Sequence, residues 1–273
     1  MRYGINVPNF GDYFHPNTLS ELAVEAEKAG WDGFFVWDHL TGYGAVCDTT
    51  IALAAIALRT EHIRFGAMIT PLPRRRPWKV AREMISLDHL SNGRLVVGVG
   101  LGNPPSEFES FGEDVNVKVR AQKLDDGLNI LLGLWSGELF SYCSAHYQLD
   151  GVEYIPRPVQ RPRIPIWVGG FWPNKKPIRR AARYDGVYPA RIWPEQLTVD
   201  DLREVLSYIR RHRTSSGPFD VVVGGQTPSD STEGNEEVEP WMEAGATWWS
   251  ENINGWRGSL KEMKKRIVAG PPE

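Results

Sequence analysis

The sequence predicts an α/β fold: a single (β/α)8 TIM barrel with an excursion after the fourth strand–helix unit. Three observations carry this expectation. Short apolar runs alternate with helical patterns from one end of the chain to the other, which favours a parallel sheet with right-handed crossovers. Several strand candidates are continuously apolar, the pattern of parallel strands buried on both faces. The 273 residues match the size of one such barrel, about 250 residues. Residues 1–273 are therefore read as one domain with an excursion at about 136–163. A doubly wound open sheet is the alternative.

The elements follow in order. Tyr3 to Pro8 reads as the first strand and Leu19 to Ala29 as a helix, capped by Asn17 or Thr18 and stopped by Gly30. Phe34–Trp37 is the second strand, Thr49 to Leu58 an Ala-rich helix, and Ile63 to Thr70 the third strand. Pro77 suits the first turn of a helix running to Leu90. Leu95–Val99 is the fourth strand, and a helix spans about Lys118 to Trp135. Ser136 to Arg163, with Pro156, Pro158 and Pro162, is the excursion on the outside. Alternation then resumes with strands Pro165–Val168, Gly186–Pro189, Phe219–Val223 and Thr247–Ser250. Between and after them stand helices Pro177–Arg183, Asp200–His212, Glu236–Ala244 and Leu260–Val268. The polar stretch Thr227 to Glu239 reads as a surface loop entering a helix.

Composition removes several classes. With 41% hydrophobic and 24% charged residues the chain is an ordinary folded one. A net charge of −3 gives no general attraction to nucleic acid or acidic membranes. The longest apolar run, Ile51 to Leu58, is far short of the ~20 residues a membrane span needs, and the N-terminus has no signal-like apolar region. Cys47 and Cys143 are too few for a disulfide scaffold, so a cytoplasmic location is expected. Eleven Trp residues are an excess that needs a reason.

In a barrel, chemistry sits at the C-terminal strand ends. Trp37-Asp38-His39 follows the second strand, and reads either as a general acid/base or as a structural Asp–His pair tying down a loop. The basic run Arg74-Arg75-Arg76 reads either as an anion site or, more commonly for such a run, as a solvated turn. Gly98-Val99-Gly100-Leu101-Gly102-Asn103 is not a dinucleotide fingerprint, because Asn103 replaces the last Gly and Pro104-Pro105 delays any helix. Gly169-Gly170, followed by Phe171, Trp172 and the pair Lys175-Lys176 before a helix, is a candidate phosphate site or a tight connection. Gly224-Gly225 is a weaker one. The six His show no metal-ligand spacing, and neither a serine elbow nor a P-loop is present.

Together these segments resemble the bacterial-luciferase-like family of flavin- and coenzyme F420-dependent monooxygenases and oxidoreductases. The pieces that carry the resemblance are Ala26–Gly33 running into Val36–Leu40, Pro77–Glu83 through Leu87–Leu95, Gly98–Gly102, and Pro156–Pro162 before Pro165–Gly170. The resemblance implies FMN or coenzyme F420 in the barrel mouth, resting on a bulge near Met68-Ile69 that often holds a non-prolyl cis peptide. It further implies cofactor contacts from Gly100, Gly102, Asn103, Gly169, Gly170 and Phe171, and a catalytic or substrate-polarising role for His39, held by Asp38. Several F420-dependent relatives carry a Glu where Asn103 stands, and Asn cannot titrate.

The resulting expectation is monooxygenation of a small organic substrate, with F420-dependent hydride transfer as the alternative; a non-catalytic flavin-binding relative and a metal-dependent hydrolase are weaker readings. Phe10, Trp172 and Trp193 are expected to wall the substrate, and the excursion to help select it. A flavin reductase supplying reduced cofactor and a homo-oligomer, with Thr49–Leu58 and Pro77–Leu90 as a dimer face, complete the expected partners; no nucleic acid, membrane or metal is expected.

Overall fold

The computed structural model describes residues 1–229 and 231–272; the polar stretch Thr227–Glu239 crosses Asp230, which lies outside the described residues. In chain order the elements are β1 (Arg2–Val7), α1 (Pro16–Lys28), β2 (Gly33–Val36), α2 (Thr49–Arg59), β3 (Arg64–Ala67), β4 (Thr70–Pro71) and α3 (Pro77–Leu90). Then come β5 (Val97–Gly100), α4 (Ser106–Glu109), α5 (Val117–Trp135), β6 (Phe140–Cys143), β7 (Gln148–Val152), β8 (Ile166–Phe171) and α6 (Lys175–Ala181). The chain finishes with β9 (Gly186–Ala190), α7 (Val199–His212), β10 (Asp220–Gly225), α8 (Ser231–Ala244), β11 (Trp248–Asn252) and α9 (Leu260–Val268).

The parallel strands close on themselves. β1 pairs with both β2 and β11, and the ring runs on through β10, β9, β8 and β5. β3 and β4 are two halves of the third barrel strand: β3 pairs with β2 and bridges to Leu95 through Phe65, and β4 pairs with β5. Between the halves lies the Met68–Ile69 bulge, whose peptide bond is cis without proline, where the resemblance places it. This is the predicted barrel.

Alternate strand residues face inward. Phe35, Met68, Val96, Trp167, Val222 and Trp248 form a cluster in the lumen, separate from the larger core between strands and helices. Bare backbone makes room for the large rings: a Cβ on Gly33 would lie 2.7 Å from Phe35, and one on Gly186 2.4 Å from Trp167. Asp220, at the N-terminal end of β10, accepts the indole N–H of Trp167 and of Trp248, each at 3.0 Å. The lower lumen is thereby filled and its polar edges satisfied. Open space begins only at the C-terminal strand ends.

The excursion is a short antiparallel hairpin, β6–β7, and a Pro-rich return. Buried Asp88 of α3 accepts N–H groups of Val159 and Gln160 and the Gln160 amide, fastening that return to the outside of the barrel. Two local expectations are corrected. α1 begins earlier than the apolar periodicity shows, because Pro16 takes the first turn and the His15 ring, not Asn17 or Thr18, accepts the Asn17 N–H. α8 starts at Ser231, so the polar run enters its helix sooner than its composition implies.

Candidate active site

A cavity of about 320 Å³ opens at the C-terminal strand ends. Trp37, Asp38 and His39 line it after β2, Met68 and Ile69 at the bulge, and Leu101, Gly102 and Asn103 after β5. Gly169, Gly170 and Phe171 line it at the end of β8, Tyr188 in β9, and Asn174 and Lys176 at the start of α6. The Ile69 side chain lies between two bare strands. A Cβ on Gly100 would fall 1.9 Å from Ile69 Cδ1, and one on Gly169 3.1 Å from Ile69 Cγ2. Side chains on β5 or β8 would collide with Ile69, so the glycines make room for its side chain, and the cavity opens in front of it. The bare backbone of Gly169 and Gly170 beside Ile69 gives this cavity a wall that fits a flat ring.

His39 is set by buried neighbours. Asn9, wholly buried, accepts the His39 N–H at 3.1 Å and donates to its carbonyl at 2.9 Å, fixing the backbone from both sides. The ring Nδ1 lies 3.1 Å from Oε1 of Glu107, which also accepts the Leu40 N–H at 3.0 Å. The other carboxylate oxygen of Glu107 takes Arg74 Nη1 at 2.5 Å. Burial pushes the Glu107 carboxyl up, but Arg74, the Leu40 N–H and His39 outweigh it and hold it below the ordinary carboxylate value. An ionised Glu107 places the proton on Nδ1. Nε2 has no hydrogen-bond partner among the described residues.

Asp38 does not hold His39. Its carboxylate takes Arg75 Nη2 at 2.8 Å to both oxygens, and Arg74 Nη2 at 3.3 Å. Arg74 also donates to the Asp38 carbonyl at 2.5 Å. So Arg74 and Arg75 are not a solvated turn: with Asp38 and Glu107 they form a buried four-charge lattice behind His39.

The remaining candidates divide. Asn103, Gly102, Gly169, Gly170, Phe171, Met68 and Ile69 come together around the cavity, and Gly100 abuts Ile69 behind it. Phe10 joins a ring cluster with Trp37, His39, Tyr43 and Trp256, stacking on Tyr43 at a centroid distance of 4.2 Å. Trp172 is buried in the core between strands and helices instead of facing the cavity. Trp193 projects into solvent, 88% exposed. The excursion contributes no residue to the cavity lining. Sequence reasoning missed Glu107, Asn9 and Trp256. Glu107 had a signal: a carboxylate one position before an apolar Phe, just after Pro104-Pro105, on a turn short enough to fold back on the strand ends.

Comparison with known proteins agrees with the geometry. The F420-dependent glucose-6-phosphate dehydrogenase of Microbacterium testaceum is 30% identical over 178 residues, covering 63% of this chain and 52% of that protein. This chain thus spans about half the length of the curated relatives it matches. Monooxygenase RslO1 from Streptomyces bottropensis superposes with a TM-score of 0.80 at 20% identity, over 98% of this chain and 96% of that one. An F420-dependent secondary alcohol dehydrogenase, solved with an F420–acetone adduct, does so with a TM-score of 0.80 at 17% identity, over 99% and 98%. Residues 1–267 match the luciferase-like monooxygenase family, and with the barrel, the cis bulge and the glycine-cradled mouth in place, the chain belongs to that family.

Proposed function

We propose that this chain is an F420-dependent oxidoreductase that transfers a hydride between the deazaflavin and a small organic substrate, with His39 moving the accompanying proton. The observation that carries this reading is the His39–Glu107 pair, 3.1 Å apart at the cavity edge, with Arg74 behind it. Bound in the cavity, the deazaflavin would supply the site that accepts or donates hydride. Ile69, Gly169 and Gly170 would hold its ring, and Asn174 with Lys176 its phosphate end. Oxidising a carbinol removes a hydride from carbon and a proton from oxygen. Nε2 of His39 receives that proton, and the Glu107 carboxylate stabilises the imidazolium that results. Asn103 hydrogen-bonds without titrating, which leaves the proton to His39.

Monooxygenation with reduced FMN is the second reading. The ring cluster of Phe10, Trp37, Tyr43 and Trp256 favours it, since aromatic walls keep water from a reactive site. A flavin reductase partner belongs to that reading. A cytoplasmic homo-oligomer is proposed with either; exposed Ile51 and Leu58 on α2 and Leu90 on α3 support a dimer face there. No helix among the described residues is long and apolar enough to cross a membrane.

The test is to supply purified protein with F420 and a panel of secondary alcohols and glucose 6-phosphate, and separately with reduced FMN and oxygen. Hydride transfer predicts bleaching of oxidised F420 by at least one alcohol, with His39→Ala slowing it about 100-fold or more. Unchanged turnover in His39→Ala overturns the proton assignment, and oxygen uptake with FMN alone moves the conclusion to the second reading.

A further inference from the structure

We infer that Asn6, Tyr188, Ser250 and Asn252 form a recognition floor beneath the cavity for a neutral hydroxyl or carbonyl oxygen of the substrate, other than the oxygen that reacts at His39. The inference rests on reading the barrel mouth as the redox site.

These four side chains occupy inward positions of β1, β9 and β11, beside the apolar plug of Phe35, Trp167 and Trp248, with Asn6 in register with Phe35 and Tyr188 lining the cavity itself. Register brings Asn6 beside Asn252, and Gly4 beside Ser250. Asn6 donates its amide to Asn252 Oδ1 at 3.3 Å. The Tyr188 ring lines the cavity, and a Cβ on Gly224 would fall 2.9 Å from its hydroxyl and 3.6 Å from Asn252 Nδ2, so these groups converge on one spot.

Two atoms of this floor are unsatisfied. Asn6 Oδ1 and Ser250 Oγ are buried without a hydrogen-bond partner among the described residues. Such atoms are stripped of water with nothing to replace it, whereas the lumen indoles of Trp167 and Trp248 are both satisfied on Asp220. A hydroxyl donates to Asn6 Oδ1, and a hydroxyl or carbonyl oxygen accepts from Ser250 Oγ.

Charge selects the ligand class. The floor carries no charged side chain, and burial pushes the Tyr188 phenol up to about 12, against the Asn6 amide, so it stays neutral. Glu251, between Ser250 and Asn252 in sequence, faces the opposite side and is taken up by Thr227, Trp249 and Arg257. A carboxylate, phosphate or ammonium finds no countercharge in the floor; a neutral oxygen finds donors and acceptors. Depth separates this oxygen from the reacting one. Asn6 pairs with Phe35, four residues before His39, which at ~3.3 Å per residue puts the floor on the order of 10 Å below the His39 level.

The test uses benzyl alcohol, toluene and benzoate as probes, titrated by ligand-observed NMR against the protein alone and loaded with F420 or FMN. Benzyl alcohol is expected to bind about tenfold tighter than toluene, the order of one hydrogen bond, while benzoate, drawn to Lys176 and Arg180 of the same cavity, should bind the floor variants as it binds the wild type. Ser250→Ala and Tyr188→Phe should each collapse that preference to about threefold or less, whereas His39→Ala should keep it. The two floor variants are independent, and circular dichroism confirms which is folded. Equal affinity for alcohol and toluene in the wild type overturns the inference. So do folded floor variants that retain the preference, or that lose F420 or FMN affinity instead. Wild-type protein that binds neither F420 nor FMN refutes the redox reading, while the probe series on protein alone still decides the floor.

Discussion

Glu107→Gln removes one negative charge from a buried lattice and leaves the shape nearly unchanged. The Glu107 side chain is 2% exposed and the Arg74 side chain 3%, so the interaction lost is not screened by water. Breaking a buried pair by removing one partner costs about 3–5 kcal/mol when the other charge is left alone. Here Arg74 keeps Asp38, with contacts at 3.3 Å to the carboxylate and 2.5 Å to the carbonyl. The amide oxygen also still accepts one N–H. The cost should therefore fall to about 2–3 kcal/mol, or roughly 4–8 °C in Tm for a chain of this length. Calorimetry reads the stability and kcat/KM at fixed pH reads the catalytic effect. Because the lost carboxylate orients the His39 ring through Nδ1 and would stabilise the imidazolium, kcat/KM should fall about tenfold or more. Glu107→Asp should recover part of both effects. A Glu107→Gln protein with wild-type Tm and unchanged kcat/KM would refute the positioning role.

Acid should destabilise the protein in a defined direction. The Glu107 carboxyl and the Asp125 carboxyl, held by Arg180 and Arg183, both lie below their ordinary values although burial opposes this. A depressed folded-state value gives stability that is present above the unfolded value and lost as pH falls through the folded one. Urea titrations should thus show ΔG falling below about pH 4, less steeply in Glu107→Gln; an unchanged slope contradicts the assignment. Trp172→Ala should cost about 3–5 kcal/mol through the cavity it opens in the core. Trp193→Ala should stay within about 0.5 kcal/mol and leave substrate KM unaltered. A KM change in Trp193→Ala would return that residue to the substrate wall.

Periodicity and punctuation reveal the frame of this protein because both are local. Continuous apolar runs such as Phe34–Val36 and helices bounded by Pro77 or Gly30 announce themselves within ten residues, and every predicted barrel strand is found where its run lies. The bulge at Met68–Ile69 came from family resemblance, since no composition rule marks a cis peptide without proline. The electrostatics of the site were hidden for a different reason. Asp38 and His39 are neighbours in sequence, yet their partners arrive from loops 36 and 68 residues away, and only barrel closure brings those loops together. Arg74 and Arg75 read as a solvated turn because nothing local marks the carboxylates that bury them. The Trp excess separates in the same way. Trp37 and Trp256 meet at the mouth, Trp167 and Trp248 plug the lumen, and Trp193 stays in water.

The central claim is that the cavity lined by Ile69, Gly169 and Gly170 takes the planar ring of a redox cofactor. Fluorescence titration of wild-type protein and Gly169→Val with F420 and with FMN tests it directly, since a Cβ at that position already falls 3.1 Å from Ile69 Cγ2 and the valine methyls would push Ile69 out into the cavity. The account predicts saturable, one-to-one binding of at least one cofactor by the wild type, with F420 preferred, and at least a tenfold loss in the folded variant, about 1.4 kcal/mol. Absence of binding to either cofactor, or equal affinity in wild type and Gly169→Val, would contradict it.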